Sequence, residues 1–427
     1  MTLNDGFDRT VSDWLADQAG HGSPGYLDEI LVRTTRIRQR PAWSSLERWL
    51  PVDLTAQPRF LARPTLGKVL LVGAVLLALI GIAIVAVGSR VQRVPAPFGL
   101  AANGQINYWA DGDILVADAD GRNPHTLISG PSDDFASGYT RDGTQLTFMR
   151  TVSPHEATLM IAAPDGSGVR SVLKEPLTDA DWIDSSPDSR SLAIMHTANG
   201  VRVLSIVDIE HGTIRTLDVG ALVVDNSVFW RPGTTSELIF TSHTGSGDST
   251  RAGIYSIQAD GSGLTPVAPV VTGPAEYNGL DLAPDGRTLT YWRWESATTP
   301  GRIHQLDIAT KVDRVLRFDP SAYGESGLLH SPDGSQVLLS RNERSGATRG
   351  QIMIAPADTS RPGILIGRRF DTNTAEGPGY GFSPDGKTVF VTYPGAAPQF
   401  FDGATGALRT GPWTKSAACC SWQRLAP

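Results

Sequence analysis

"HSPDGSQVLLS", residues 330–340, is one of several near-copies of a phrase in this chain: "FSPDGKTVFVT" begins at Phe382, "LAPDGRTLTYW" at Leu282 and "YTRDGTQLTFM" at Tyr139. In this phrase Pro presets φ near −65°, Asp bonds to nearby backbone, and Gly takes a left-handed conformation. The phrase therefore reads as a tight hairpin, and the alternating apolar residues after it read as a strand. Aligned two residues before the Pro, the copies fall at Tyr139, Ser185, Trp230, Leu282, His330, Phe382 and, in degenerate form, Trp422. Successive spacings are 46, 45, 52, 48, 52 and 40 residues.

Each copy continues into further strand signals, such as "TLMIAAPDGSG" and "GIYSIQADGSG", and then a short last strand. Four strands per repeat of this length describe a β-propeller blade. The ends do not match the repeat. Ile106–Leu127 supplies second, third and fourth strands without a first, whereas "ACCSWQRLAP" supplies a first strand alone. Joined, they complete a seventh blade and leave no open sheet edge. The expected fold is all-β, a seven-bladed β-propeller of four-stranded antiparallel blades closed by strands from both ends of the domain.

Upstream lies "VLLVGAVLLALIGIAIVAV", Val69–Val87, which is apolar or glycine throughout. About 20 such residues cross a bilayer as a helix. Arg48, Arg59, Arg63 and Lys68 precede it closely, and only Arg90 and Arg93 follow, which orients the N-terminus inward. The expected organisation is a cytoplasmic tail with short amphipathic helices (1–65), a transmembrane helix (66–90), a linker (91–102) and the propeller (103–427). The expected location is the cytoplasmic membrane with the propeller extracytoplasmic. In the tail, "SSLERWLP" carries a capping box from Ser44 to Glu47. The tail either lies on the membrane surface or docks a cytoplasmic partner.

Charge excludes one class of partner. Residues 94–427 carry 26 Lys and Arg against 36 Asp and Glu, an acidic balance unsuited to nucleic acid. Enzymatic signals are also missing from the sequence. There is no Gly-x-Ser-x-Gly elbow, and the eight His never pair at metal spacing. His330 stands where other copies place Phe, Trp or Leu, which suits a packed or channel-lining role. The adjacent Cys419 and Cys420 lie in the closing strand, where neighbouring side chains point to opposite faces. Free, mostly buried thiols are expected there.

One set of residues stands out as a candidate site. Five to six residues before the aligned position, six copies carry an acid: Asp134, Asp179 (with Asp181 nearby), Asp225, Glu276, Glu325 and Glu376. At the mouth of a propeller channel these would form a ring. Such a ring focuses potential toward a cation, Ca²⁺ included, or a basic peptide. The simpler use is that each acid satisfies backbone N–H groups of its own loop. No other cofactor is implied.

The phrase (F/W/L)-x-P-D-G-x-x-(L/V)-x-(F/Y/V), with its following strand and Asp-Gly turn, resembles the TolB-like, WD-repeat-like β-propellers of bacteria across residues 103–427. Three copies depart from it: Arg141 replaces Pro, Ser189 replaces Gly, and Trp230-Arg231-Pro232-Gly233 lacks the Asp. The resemblance implies a protein-binding propeller face, or a non-catalytic gate beside a hydrolase domain. The order of tail, span and propeller is similar to that of membrane proteins of Gram-positive-type bacteria, some of them sigma-factor partners, although the tail lacks a His/Cys zinc motif. The functional expectation is thus a membrane-anchored binding or sensing module for a protein, peptide or envelope ligand. A lyase or glycan-processing propeller enzyme, and an anti-sigma-like regulator acting through the tail, are the alternatives.

Overall fold

The computed structural model describes residues 71, 73–78, 94–245, 250–272, 277–293, 301–319, 322, 324–343, 349–372, 377–409 and 418–427. The tail expected over 1–65, and most of the expected span, lie outside these. Residues 71 and 73–78 are helical. Among the described residues no helix is long and apolar enough to cross a membrane. The chain divides into two compact units, Met1–Arg90 and Val91–Pro427.

The second unit is built from four-stranded antiparallel sheets. The first along the chain orders Ala418–Leu425, Ala102–Ala110, Asp113–Ala117 and His125–Ile128. The C-terminal strand pairs in it with the strand that opens the unit, from Ala102↔Leu425 to Trp109↔Ala418. Next come Asp134–Tyr139, Leu146–Ser153, Glu156–Ala162 and Arg170–Ser171, then Leu177–Ser185, Ser191–Ala198, Val201–Asp208 and Thr213–Thr216. These two runs join into one eight-stranded sheet through Glu156↔Thr178 and Ala157↔Leu177. Val223–Trp230, Glu237–Thr244, Arg251–Gln258 and Thr265–Pro266 come after them, with Val271–Thr272 also bonded to the third of these strands. The next sheet holds Tyr277–Leu282, Thr288–Arg293, Arg302–Asp307 and Asp313–Leu316. After it come Gly324–His330, Gln336–Asn342, Arg349–Pro356 and Ile364–Asp371. The last sheet holds Gly379–Phe382, Thr388–Thr392, Gln399–Asp402 and Leu408–Arg409.

The core lies between sheets. Because alternate strand residues face opposite ways, each second strand serves two neighbours. Leu238 and Phe240 pack against Met195 and Leu204 of the preceding sheet, while Ile239 packs with Leu289 and Tyr291 of the next. Leu338 likewise joins Val389 and Val391, while Val337 and Leu339 join Ile303 and Leu316. The series returns on itself. Phe390 and Phe400 of the last sheet pack on Ile106 and Trp422 of the first, and Ile114 packs on Leu146 and Phe148 of the second. The sheets therefore form a closed ring.

The repeated turns share one hydrogen-bond pattern and touch their neighbours. In four of them the Ser or Thr hydroxyl donates to the turn Asp and accepts a backbone N–H. Ser331 Oγ is 2.6 Å from Asp333 Oδ1, and Gln336 N donates to Ser331 Oγ at 2.9 Å. Thr140, Ser186 and Ser383 repeat this arrangement. Where Ser189 replaces Gly it still adopts a left-handed φ of 59°, and its hydroxyl accepts from Asp142 N of the neighbouring turn at 3.0 Å. Gly286 (φ 65°) lies so close to Pro232 O of the preceding turn that a Cβ would fall well under 3.0 Å from it.

The closing strand corrects one expectation. Cys420 is disulfide-bonded, and among the described residues there is no free cysteine; the chain's one other cysteine is its neighbour, Cys419. The register jumps from Asn107↔Ser421 to Tyr108↔Cys419, which makes Cys420 the extra residue of a β-bulge. A bulge breaks the strict alternation on which the expectation of free thiols rested.

Candidate functional site

The acid positions fall at the beginnings of first strands, at the opposite end of those strands from the Asp-Gly turns. Each described acid has a local partner. Asp134 is fully buried and takes a bidentate pair from Arg150, at 2.7 and 2.8 Å. Asp179 bonds His155 at 3.0 Å, and Asp181 pairs with Arg202. Asp225 pairs with His243, and its carbonyl accepts from Arg202 Nε at 3.1 Å. Glu325 is buried and accepts the backbone N–H groups of Phe318 (3.1 Å) and Asp319 (2.6 Å). Burial pushes the Glu325 carboxyl up from its ordinary value, against those two N–H bonds. Asp319 in turn pairs with Arg341 at 2.6 Å. Glu276 and Glu376 lie outside the described residues. Among the described residues no three His, Cys, Asp or Glu side chains gather where they could hold a metal ion.

Only Glu325 uses its carboxylate on backbone N–H groups of its own loop. The other described acids are met by basic side chains, and for Asp134 strand register sets the pair. Asp134 stands directly opposite Arg150, and Glu325 opposite Arg341, across the first and second strands. Arg150, His196, Arg293 and Arg341 all lie eleven residues after the aligned position. At Asp134 that spacing marks the acid's partner; His196 instead bonds Ser205, and Arg341 pairs with Asp319 and Glu343.

A second set of contacts locks the first strands of different sheets together. Asp184 accepts Trp230 N at 3.0 Å, and Arg141 Nη2 donates to both of its oxygens, at 2.7 and 3.0 Å, while Arg141 Nε donates to Ser185 O. Asp281 repeats the role two sheets along, accepting His330 N at 2.7 Å and bonding His330 Nδ1 at 2.6 Å. His330 is therefore a packed residue, only 3% exposed at its side chain. Tyr380 OH donates to Gly327 O of the adjacent sheet. Gly327 (φ 63°), Gly279 (φ 58°) and Ala136 (φ 50°) occupy one repeat position, where the first strands bulge.

A cleft of about 440 Å³ opens at the seam between the sheet holding both ends of the unit and its predecessor. Trp422 and Phe400 line it together with Arg122, Lys387 and Arg409. Arg409 is held by Asp402 and Thr388, and Arg122 by Asp120. Residues from the two ends of the unit Val91–Pro427 make this cleft, so no local motif announces it.

No family model matches the chain, and no curated protein matches it. Solved structures do. The chain is similar to the tricorn protease, at 12% identity and a TM-score of 0.53, over 78% of this chain and 36% of that one. It is similar to a prolyl endopeptidase at 12% identity and a TM-score of 0.52, over 76% of this chain and 52% of that one. TolB from Acinetobacter baumannii is matched at 14% identity and a TM-score of 0.46, over 76% of this chain and 81% of that one. The chain thus spans about a third of the tricorn protease and half of the endopeptidase. At such identity the likeness concerns the fold alone, and the described sheets of the unit Val91–Pro427 form a β-propeller.

Proposed function

We propose that this chain is a membrane-anchored, extracytoplasmic β-propeller of seven blades that binds or senses a protein or peptide without catalysing a reaction. One observation carries this reading. The described acids at the strand entries are engaged by arginine, histidine or backbone N–H of the ring itself, as residues that maintain a scaffold are. A general acid or base needs a free path to its substrate, and Asp134, buried under the fork of Arg150, has none. A rigid closed ring with loops at both ends is a platform for recognition. The apolar run Val69–Val87 supports the anchor, and residues 1–65 would face a cytoplasmic partner. On this reading the acids stabilise blades and hold no Ca²⁺.

The test is photocrosslinking of the full chain in its own membrane. A photoreactive residue would be placed at exposed Val152 and Val201, on second-to-third-strand hairpins, and at exposed Lys387 in a turn. A discrete protein adduct from one end of the ring, absent from the other, is expected. Adducts at no position, or turnover of an envelope substrate by the purified chain, would overturn the reading.

A further inference from the structure

Residues 94–101, with their Pro-Ala-Pro-Phe-Gly composition, read from sequence as linker, yet they are packed against the ring. Pro95 is buried. Arg424 Nη2 donates to Ala96 O at 3.0 Å and to Gly99 O at 2.8 Å. The Arg141 guanidinium lies over the Phe98 ring, 4.1 Å from its centroid. Phe98 also packs on the cluster that contains Trp230 and Leu204. Further along, Ala101 N donates to Pro384 O at 3.0 Å, and Leu100 lies beside Gly386. One short segment thus touches the turn following Tyr139, the turn following Phe382 and the Trp230 cluster on another sheet. It crosses the ring at the end where the Asp-Gly turns gather.

The contacts have the character of peptide recognition. Carbonyls three residues apart are read by one guanidinium, and an aromatic ring sits beneath a second. Two arginines this close are an expensive way to fix a linker. Burial, and then the neighbouring Arg141, bring the Arg424 guanidinium down to about 10. Its Nε is buried without a hydrogen-bond partner among the described residues. Apolar side chains would hold a permanent strap with no such cost, whereas guanidinium forks and cation–π faces suit an exchangeable peptide.

We infer that the turn end of the ring is a peptide-binding site, filled in cis by residues 95–99, whose ligand in trans is a proline-flanked turn carrying an aromatic residue on a partner protein. The biological use of the site rests on the proposed binding function; the site itself does not. A tethered segment competes at an effective concentration of order millimolar, so a partner gains access only as the strap lets go.

The experiment uses the detergent-solubilised full chain and a fluorescein-labelled peptide, VPAPFGLA, copied from residues 94–101. Fluorescence anisotropy follows binding to the unchanged chain and to Phe98→Ala. Binding at least tenfold tighter to Phe98→Ala is expected, because that variant weakens the internal competitor. The gain should vanish in Phe98→Ala/Arg424→Gln. Should that double variant fail to fold, a peptide with Phe replaced by Ala, titrated into Phe98→Ala, takes its place and should bind at least tenfold more weakly than VPAPFGLA. Equal binding to the unchanged chain and Phe98→Ala, or indifference to the peptide's own Phe, overturns the inference. Crosslinking of a partner elsewhere on the ring would leave these outcomes unaltered, so the two readings fail separately.

Discussion

Gly286 and Gly334 occupy equivalent corners of two repeated turns, with φ of 65° and 72°, and replacing each by Ala separates backbone strain from crowding between sheets. Any side chain in this conformation costs about 1–2 kcal/mol. At Gly334 little is added, because the nearest atom to a Cβ is Pro284 Cδ at 3.7 Å, an ordinary contact. At Gly286 the Cβ would be driven into the backbone oxygen of Pro232, and neither turn can move without dragging its sheet. Overpacking of this kind costs a further 1–3 kcal/mol or so, for a total of about 2–5 kcal/mol. Unfolding entropy of about 2.1 cal/mol/K per residue, over a ring of roughly 330 residues, converts 1 kcal/mol to about 1.4 °C. Calorimetry should therefore find Gly334→Ala lower in Tm by about 2 °C and Gly286→Ala by about 3–7 °C. Equal shifts would refute the claim that turn-to-turn contact, rather than the turn conformation alone, holds neighbouring sheets.

Other substitutions probe the polar framework. Asp281→Ala strands two buried donors of His330, each costing about 1–3 kcal/mol. Urea titration should show a loss of about 2–6 kcal/mol, with Asp281→Asn losing less because it keeps an acceptor oxygen. Glu325→Gln should leave stability at pH 7 unchanged or raised. Because the folded carboxyl titrates above its unfolded value, its favourable contribution is complete below the unfolded pKa and is lost as pH rises through the folded one. Melting curves of variant and parent should thus converge toward pH 4 and separate toward neutrality. A parent that gains stability over the variant on raising pH would reverse that assignment. Millimolar Ca²⁺ should shift the Tm of the full chain by less than about 1 °C, since a bound ion at a hundred times its Kd would add about 2.7 kcal/mol.

The fold was legible because its units are local. Turn chemistry, alternation and spacing near 45–52 residues are carried by contiguous letters, and the unmatched strands at both ends pointed to Ala418–Leu425 as the partner of Ala102–Ala110. The acids at the strand entries were legible as a set, but not their partners. Arg150 meets Asp134 by register across a hairpin, and register becomes visible only when the spacing of basic residues is counted as carefully as that of the turns. The locks from Asp184 to Trp230 and from Asp281 to His330 join residues 46 and 49 apart on different sheets. The left-handed position shared by Gly279 and Gly327 is disguised at Ala136. Residues 94–101 hid for a compositional reason, since proline and alanine without periodicity look like a spacer until Arg141 and Arg424 are seen to grip them. The disulfide of Cys420 escaped because a bulge is a local exception to strand alternation.

The pairing of Ala102 with Leu425 also dictates the order in which this molecule is made. During synthesis the strand Ala102–Ala110 emerges more than 300 residues before its partner. Until then it presents an unsatisfied edge, a template for foreign strands. Contacts so distant in sequence form slowly, and half-finished chains of this size are prone to misassembly. The segment beginning at Val94 meets turns contributed by Phe382 and its neighbours only once these exist, so ring closure and seating of the strap are both late events. Quality control in the cell would then turn on Ala418–Leu425, the strand that decides between a finished ring and an exposed ribbon.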